Sequence, residues 1–178
     1  EAPERLASKL RDLARYQGTT LRDVVMQDDV AFKKKEIDLM KKARSDYEQT
    51  AQNLVALLEG EPAIRAELDK AQAALAATRA PIEKAIDKSM NDDLSGATEV
   101  VREEVRPAQL AHVAALDKVI EAIKEASRLR NESAEAAYRQ SVALILGLSA
   151  AALALGVTIA WGIQRSIARP LALAVEVA

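Results

Sequence analysis

The sequence predicts an all-α protein: an antiparallel up-down-up-down four-helix bundle whose fourth helix continues into a transmembrane helix. Three observations predict it. Alanine, Leu, Glu, Lys and Arg dominate the 178 residues, with only 6 Gly, 5 Pro and 3% aromatics, a composition typical of long helices. Compact turn signals cut the chain before Arg139 into stretches of similar length. Between Arg139 and Arg165 no charged residue occurs.

The first helix is expected from Pro3 to Asp28. Leu6, Leu10, Leu13, Gln17, Thr20 and Val24 recur at spacings of three and four, which puts them on one stripe. The upper part of that stripe is polar, at Gln17 and Thr20. Around it, Arg15-Tyr16-Gln17-Gly18-Thr19-Thr20-Leu21-Arg22 is rich in hydrogen-bonding groups. Gly18 and the two threonines are poor helix formers, so helix propensity does not account for them.

Asp28-Asp29 reads as a turn and N-cap. The second helix follows, from about Val30 to Leu58, with the stripe Met40, Ala43, Tyr47, Thr50, Leu54 and Leu57. Tyr47 and Thr50 interrupt the stripe with polar groups, and Arg44 flanks it. Glu59-Gly60-Glu61-Pro62 closes this helix, with Gly60 as the stop and Pro62 opening the next. The third helix, from about Pro62 to Asn91, buries Ile64, Leu68, Leu75, Ile82, Ile86 and Met90. Thr78 and Arg79 break its apolar run, and Pro81 is expected to kink it by removing one ladder bond.

Asn91 to Gly96 forms the last turn, and the fourth helix starts at Leu94 or Ser95. Val101, Val105, Leu116, Val119, Ile120 and Ile123 are its apolar positions. Pro107 leaves the Glu103 carbonyl without its usual partner. From Lys124 to Arg139 the helix is charged on most faces, and then Val142 to Ile163 is apolar. Those roughly 22 residues can cross a hydrocarbon layer of about 30 Å. Tyr138 and Trp161 stand near the two ends, where amphipathic rings favour the headgroup level. A signal peptide is excluded by position, and the rest of the chain is too small to enclose such a helix on all sides. Along the span, Ala152, Gly156 and Ala160 recur every four residues, a small-residue face suited to close helix contact.

Short turns force antiparallel neighbours, so the four stretches, each about 40–45 Å long as helices, form one bundle. The expected organisation is a sensory bundle over residues 1–139, a membrane helix over 140–164 and a linker start over 165–178. The abrupt start at Glu1 reads as a fragment whose N-terminal anchor lies outside the sequence.

Composition removes several function classes. A net charge of −2 gives no nucleic-acid surface, and the absence of cysteine rules out disulfides and thiolate metal sites. The one histidine, His112, has Gln109 three residues before it, so no Glu-x-x-His motif exists for a di-iron bundle. No P-loop or glycine-rich phosphate cradle is present. No catalysis, no cofactor and no metal are expected, and His112 is read as a hydrogen-bonded core residue.

A binding pocket is expected instead. Antiparallel register brings one layer of side chains together towards the end bearing the first and third turns. It collects Arg15, Tyr16, Gln17, Thr19, Thr20 and Arg22 from the first helix, and Arg44 and Tyr47 from the second. Thr78 and Arg79 come from the third, and Arg102, Arg106 and Gln109 from the fourth. Pro81 and Pro107 fall at the same level. Converging guanidinium and hydroxyl groups suit a carboxylate, because guanidinium offers a bidentate fork.

The C-terminal stretch Arg165-Ser166-Ile167-Ala168-Arg169-Pro170-Leu171 resembles the opening of a HAMP linker. Taken with the helical domain and the membrane helix, the chain resembles the sensory half of a methyl-accepting chemotaxis protein. Arg22 with Asp28 and Asp29 following, and Arg106-Pro107-Ala108, match that family's pattern in position. The resemblance implies a homodimer in the inner membrane, its bundle in the periplasm, binding a small organic acid or amino acid. It also implies signalling by a piston-like shift to a cytoplasmic kinase and adaptor, through a part beyond Ala178. The sensory half of a membrane histidine kinase shares these modules and is the alternative. A membrane-anchored coiled coil without ligand is a third reading, against which the polar stripe positions and interior prolines argue.

Overall fold

A computed structural model describes residues 2–164, and these are helical with short turns and, among the described residues, no strand. The linker opening at Arg165 to Leu171 lies outside the described residues. The chain divides into two units, Glu1–Ser127 and Arg128–Ala178.

Four helices build the first unit, the fourth of them in three assigned segments. Helix α1 spans Ala2–Met26. Helix α2, Val30–Leu57, starts where the Asp29 carboxylate accepts from the backbone N–H of Ala31 at 2.8 Å and of Phe32 at 3.4 Å. It ends before Gly60, whose φ of +89° is open to glycine and strained for other residues. Because the chain leaves the helix there, Leu58 is the buried residue at this end, and Leu57, expected on the stripe, is 50% exposed.

Helix α3 covers Pro62–Met90, with Pro62 at its first turn, where a missing N–H is harmless. It runs unbroken through Pro81. The fourth helix begins as α4, Leu94–Val100, capped by Asp93, which accepts from Gly96 N–H at 2.9 Å. Lys88 donates to the same carboxylate at 2.6 Å and holds Asp93 below the usual carboxylate range.

A change of helix type accompanies Pro107. Val101–Val105 is a π-helical segment, and Arg106 N–H donates to the Val101 carbonyl five residues back. Such a wide turn accommodates a proline that cannot serve the carbonyl four residues before it, and π-segments frequently mark functional sites. Helix α5 then runs Arg106–Ile163.

The core of this unit is two apolar clusters. One joins Leu10, Tyr47, Leu54, Leu68, Leu116 and Val119 with their neighbours from α1, α2, α3 and α5. The other joins Leu21, Val24, Met40, Ala85, Val100 and Val105. Gln17, Thr78 and His112 are buried polar residues. Gln17 and Thr78 are among the polar residues that break the sequence stripes. Beyond the second cluster, Lys33 Nζ donates to the Ser89 carbonyl at 2.7 Å and Ser89 Oγ donates to the Val24 carbonyl at 3.1 Å, tying α2, α3 and α1 together. Arg11 joins α1 to α5 through Asp117 at 3.1 Å.

In the second unit every described residue, 128–164, is helical and exposed. Arg128–Glu132 and Arg139–Glu135 pair one turn apart, each at 2.6 Å. Leu144, Ile145, Leu146, Leu148, Leu153 and Leu155 are all more than half exposed. Among the described residues this is the one helix long and apolar enough to cross a membrane.

Candidate functional site

Helix α1 packs along α2, and α3 along α4, whereas α2 and α3 stand further apart. The gap between them is a groove of about 390 Å³. Its walls are Ile37 and Met40 from α2 and Leu75, Ile82, Ile86 and Met90 from α3. Gln17 reaches it from α1, and Arg44, Tyr47, Thr78 and Arg79 complete its polar end. Five of the sequence-predicted site residues therefore line one groove.

The polar groups there are unequally satisfied. Thr78 Oγ1 donates back to the Leu75 carbonyl at 2.7 Å. The Tyr47 hydroxyl and His112 Nε2 are 2.9 Å apart, with ring centroids 5.5 Å apart, and each residue is 2% exposed. Burial pushes the Tyr47 hydroxyl pKa up and the His112 imidazole down to about 4. Both groups are thus neutral and share one buried hydrogen bond, so His112 is a hydrogen-bonded core residue. Arg79 Nη2 lies 3.4 Å and Arg44 Nε 3.6 Å from the same oxygen, Glu48 Oε1.

Gln17 is the exception. It is 8% exposed, and its amide nitrogen is buried without a hydrogen-bond partner. Leaving such a donor unmade costs about 1–3 kcal/mol. Gln17 itself is one of the residues on the wall of the groove between α2 and α3.

A second groove, about 460 Å³, lies on the other side of α1, against the fourth helix. Arg15, Thr19, Arg22, Arg106 and Gln109 line it. Among the described residues none of these three arginines forms an ion pair. Gly18 is explained here. A Cβ at that position would lie 2.7 Å from Gln109 Oε1, so only glycine lets the Gln109 side chain cover this turn of α1. Arg102 is exposed and pairs with Glu103 at 2.7 Å. Tyr16 is 43% exposed and Thr20 is buried, and neither lines either groove. Arg102 shares a smaller hollow of about 250 Å³ with Arg22 and Arg106, so the single expected layer is divided among three sites.

Glu48 and the wall residue Ile37 were not expected at the site. Glu48 was findable, since it stands four residues after Arg44, the spacing of helix-surface ion pairs. The Tyr47–His112 bond joins two helices 65 residues apart in sequence, and no local pattern announces it.

Comparison of the chain with protein-family models, with curated proteins and with solved structures gives no match. The functional reading therefore rests on the residues and geometry above.

Proposed function

We propose that this chain is the sensory part of a bacterial transmembrane chemoreceptor, an up-down-up-down helical bundle that binds a small carboxylate. In this reading the apolar part of α5 crosses the inner membrane, the bundle lies in the periplasm and the receptor is a homodimer. The cytoplasmic kinase and adaptor are reached through the part beyond Ala178.

One observation carries the binding function: a buried, unpartnered amide donor, Gln17 Nε2, on a groove whose polar end holds two arginines sharing one glutamate. A carboxylate entering there supplies the acceptor that Gln17 lacks. It also competes with Glu48 for Arg44 and Arg79, both of which are partly exposed and free to turn inward. Charge-assisted bonds of this type are about twice as strong as neutral ones.

The test is calorimetric titration of the full chain in lipid nanodiscs with a panel of organic acids and amino acids, against empty nanodiscs. At least one carboxylate is expected to bind saturably. At 100 times its dissociation constant it should stabilise the fold by about 2.7 kcal/mol. Arg44→Ala and Arg79→Ala are expected to weaken it about tenfold or more, since a charged hydrogen bond is worth about 1.5–3 kcal/mol. Arg22→Ala and Arg106→Ala should leave it unchanged. The opposite pattern moves the site to the second groove, and a chain that binds no carboxylate is not this sensor.

A further inference from the structure

We infer that the α2–α3 groove selects a monocarboxylate with an extended apolar body, its carboxylate at Gln17, Arg44 and Arg79 and its chain laid along Ile82 and Ile86. This rests on the carboxylate reading of the same groove and narrows it to a ligand class.

The groove has two unlike ends. Gln17, Arg44 and Arg79 provide N–H groups, two of them guanidinium cations, at one end. Moving along α3, Ile82 and Ile86 follow Thr78 by one and two turns, about 6 and 12 Å along the axis. Met40 and Met90 are also on the walls, and methionine adapts to irregular apolar shapes. No hydrogen-bond donor of the Gln17 kind is left unpaired on that part of the wall among the described residues.

The acids beside the apolar wall disfavour a second carboxylate. Glu83 and Asp87 line the groove beside Ile82 and Ile86, while Lys41, the cation on the facing wall, is engaged with Asp38 at 3.0 Å. A dicarboxylate long enough to occupy the groove would put its second charge on an apolar wall, facing two acids. Desolvation and like-charge repulsion both oppose that. A short polar acid would satisfy Gln17 but leave the isoleucine wall uncovered. A chain of several methylenes gains about 0.8 kcal/mol for each one buried, and the groove volume of about 390 Å³ leaves room for it.

Three probes of equal chain length separate these terms: hexanoate, adipate and hexan-1-ol, each titrated into the full chain in nanodiscs with empty nanodiscs subtracted. Hexanoate is expected to saturate and to bind at least tenfold more tightly than either of the others. Gln17→Leu is expected to weaken hexanoate about tenfold while raising the melting temperature of the unliganded chain. The same substitution removes both the ligand's partner and a buried donor with none. A purely structural glutamine would give destabilisation instead. Arg79→Ala, on the exposed rim, gives an independent loss of about tenfold or more without touching the core.

Adipate binding as tightly as hexanoate would overturn the ligand class and leave the carboxylate sensor standing. So would binding of succinate in a chain that ignores hexanoate. Hexan-1-ol matching hexanoate would overturn both, since the charged end would then contribute nothing.

Discussion

Protonation of His112 should destabilise the first unit by about 3 kcal/mol. The imidazole is packed at 2% exposure, with Nε2 hydrogen-bonded to the Tyr47 hydroxyl at 2.9 Å. Burial lowers its pKa from 6.5 to about 4. The protonated ring would carry an uncompensated charge in the core. Because the folded pKa lies below the unfolded one, the stabilisation is complete above pH 6.5. It is lost as the pH falls from there to about 4, where the unfolded chain takes up a proton that the folded one refuses. A shift of this size corresponds to about 3 kcal/mol at about 1.4 kcal/mol per unit. His112 is the one histidine in the sequence, so its ring resonance in an NMR pH titration is unambiguous. The resonance should move with a midpoint near 4. Unfolding free energies of the chain and of His112→Gln, measured from pH 7.5 to 4, isolate the contribution from carboxylates that titrate in both. Their difference should change by about 3 kcal/mol across that window. A midpoint near 6.5, or a difference that stays flat, would refute the burial argument.

Leu68→Ala removes a side chain with 0% exposure from the first core cluster and should cost about 2–5 kcal/mol in denaturant unfolding. Asp29→Ala deletes the oxygen that caps α2. It should cost about 1 kcal/mol, with Asp29→Asn nearly neutral, in the same assay. Gly60→Ala forces a side chain into φ of +89° and should cost about 1–2 kcal/mol, although nothing crowds the position. In membranes, Gly156→Ile should reduce disulfide crosslinking between cysteines introduced on neighbouring helices. Crosslinking equal to that of the parent chain would make Gly156 a lipid-facing residue.

The helical class and the positions of the turns were legible because they depend on local signals. Asp29, Gly60, Pro62 and Asp93 each act through backbone groups a few residues away. The apolar stripes were legible for the same reason, apart from the end of α2, where one residue beyond the last turn took the buried place. The polar positions Gln17 and Thr78 were also legible, since they interrupt their stripes. Which groove each polar residue would face was not. Gln17 and Gly18 are adjacent in sequence, yet they line opposite sides of α1. Residue spacing gives a side chain's angle about its own helix, but not the separation between two helices. Here the packing of the helices leaves a groove between α2 and α3 and another between α1 and the fourth helix. The π-segment was not legible either: Pro107 announces a missing donor, and only the packing of Val105 into the second cluster decides how the backbone absorbs it.

The adjacency of Gln17 and Gly18 also suggests how occupancy of one groove could be felt in the fourth helix. Both belong to a single turn of α1. Gln17 points to the α2–α3 groove, and Gly18 is covered by the Gln109 side chain of α5. The Gln109 amide, the end of a flexible side chain, fills the space that a side chain at Gly18 would take. In the proposed reading, a carboxylate that draws Gln17 towards Arg44 and Arg79 acts on the turn that Gln109 covers, just after the π-segment. This turn lies between the two apolar clusters. The ligand can bias a rearrangement of this turn only by the difference in its affinity for the two arrangements. Satisfying the Gln17 donor in one and not in the other provides such a difference, on the order of the 1–3 kcal/mol that an unmade buried hydrogen bond costs. That is about a fivefold to hundredfold shift in population, within the usual range for coupling between sites.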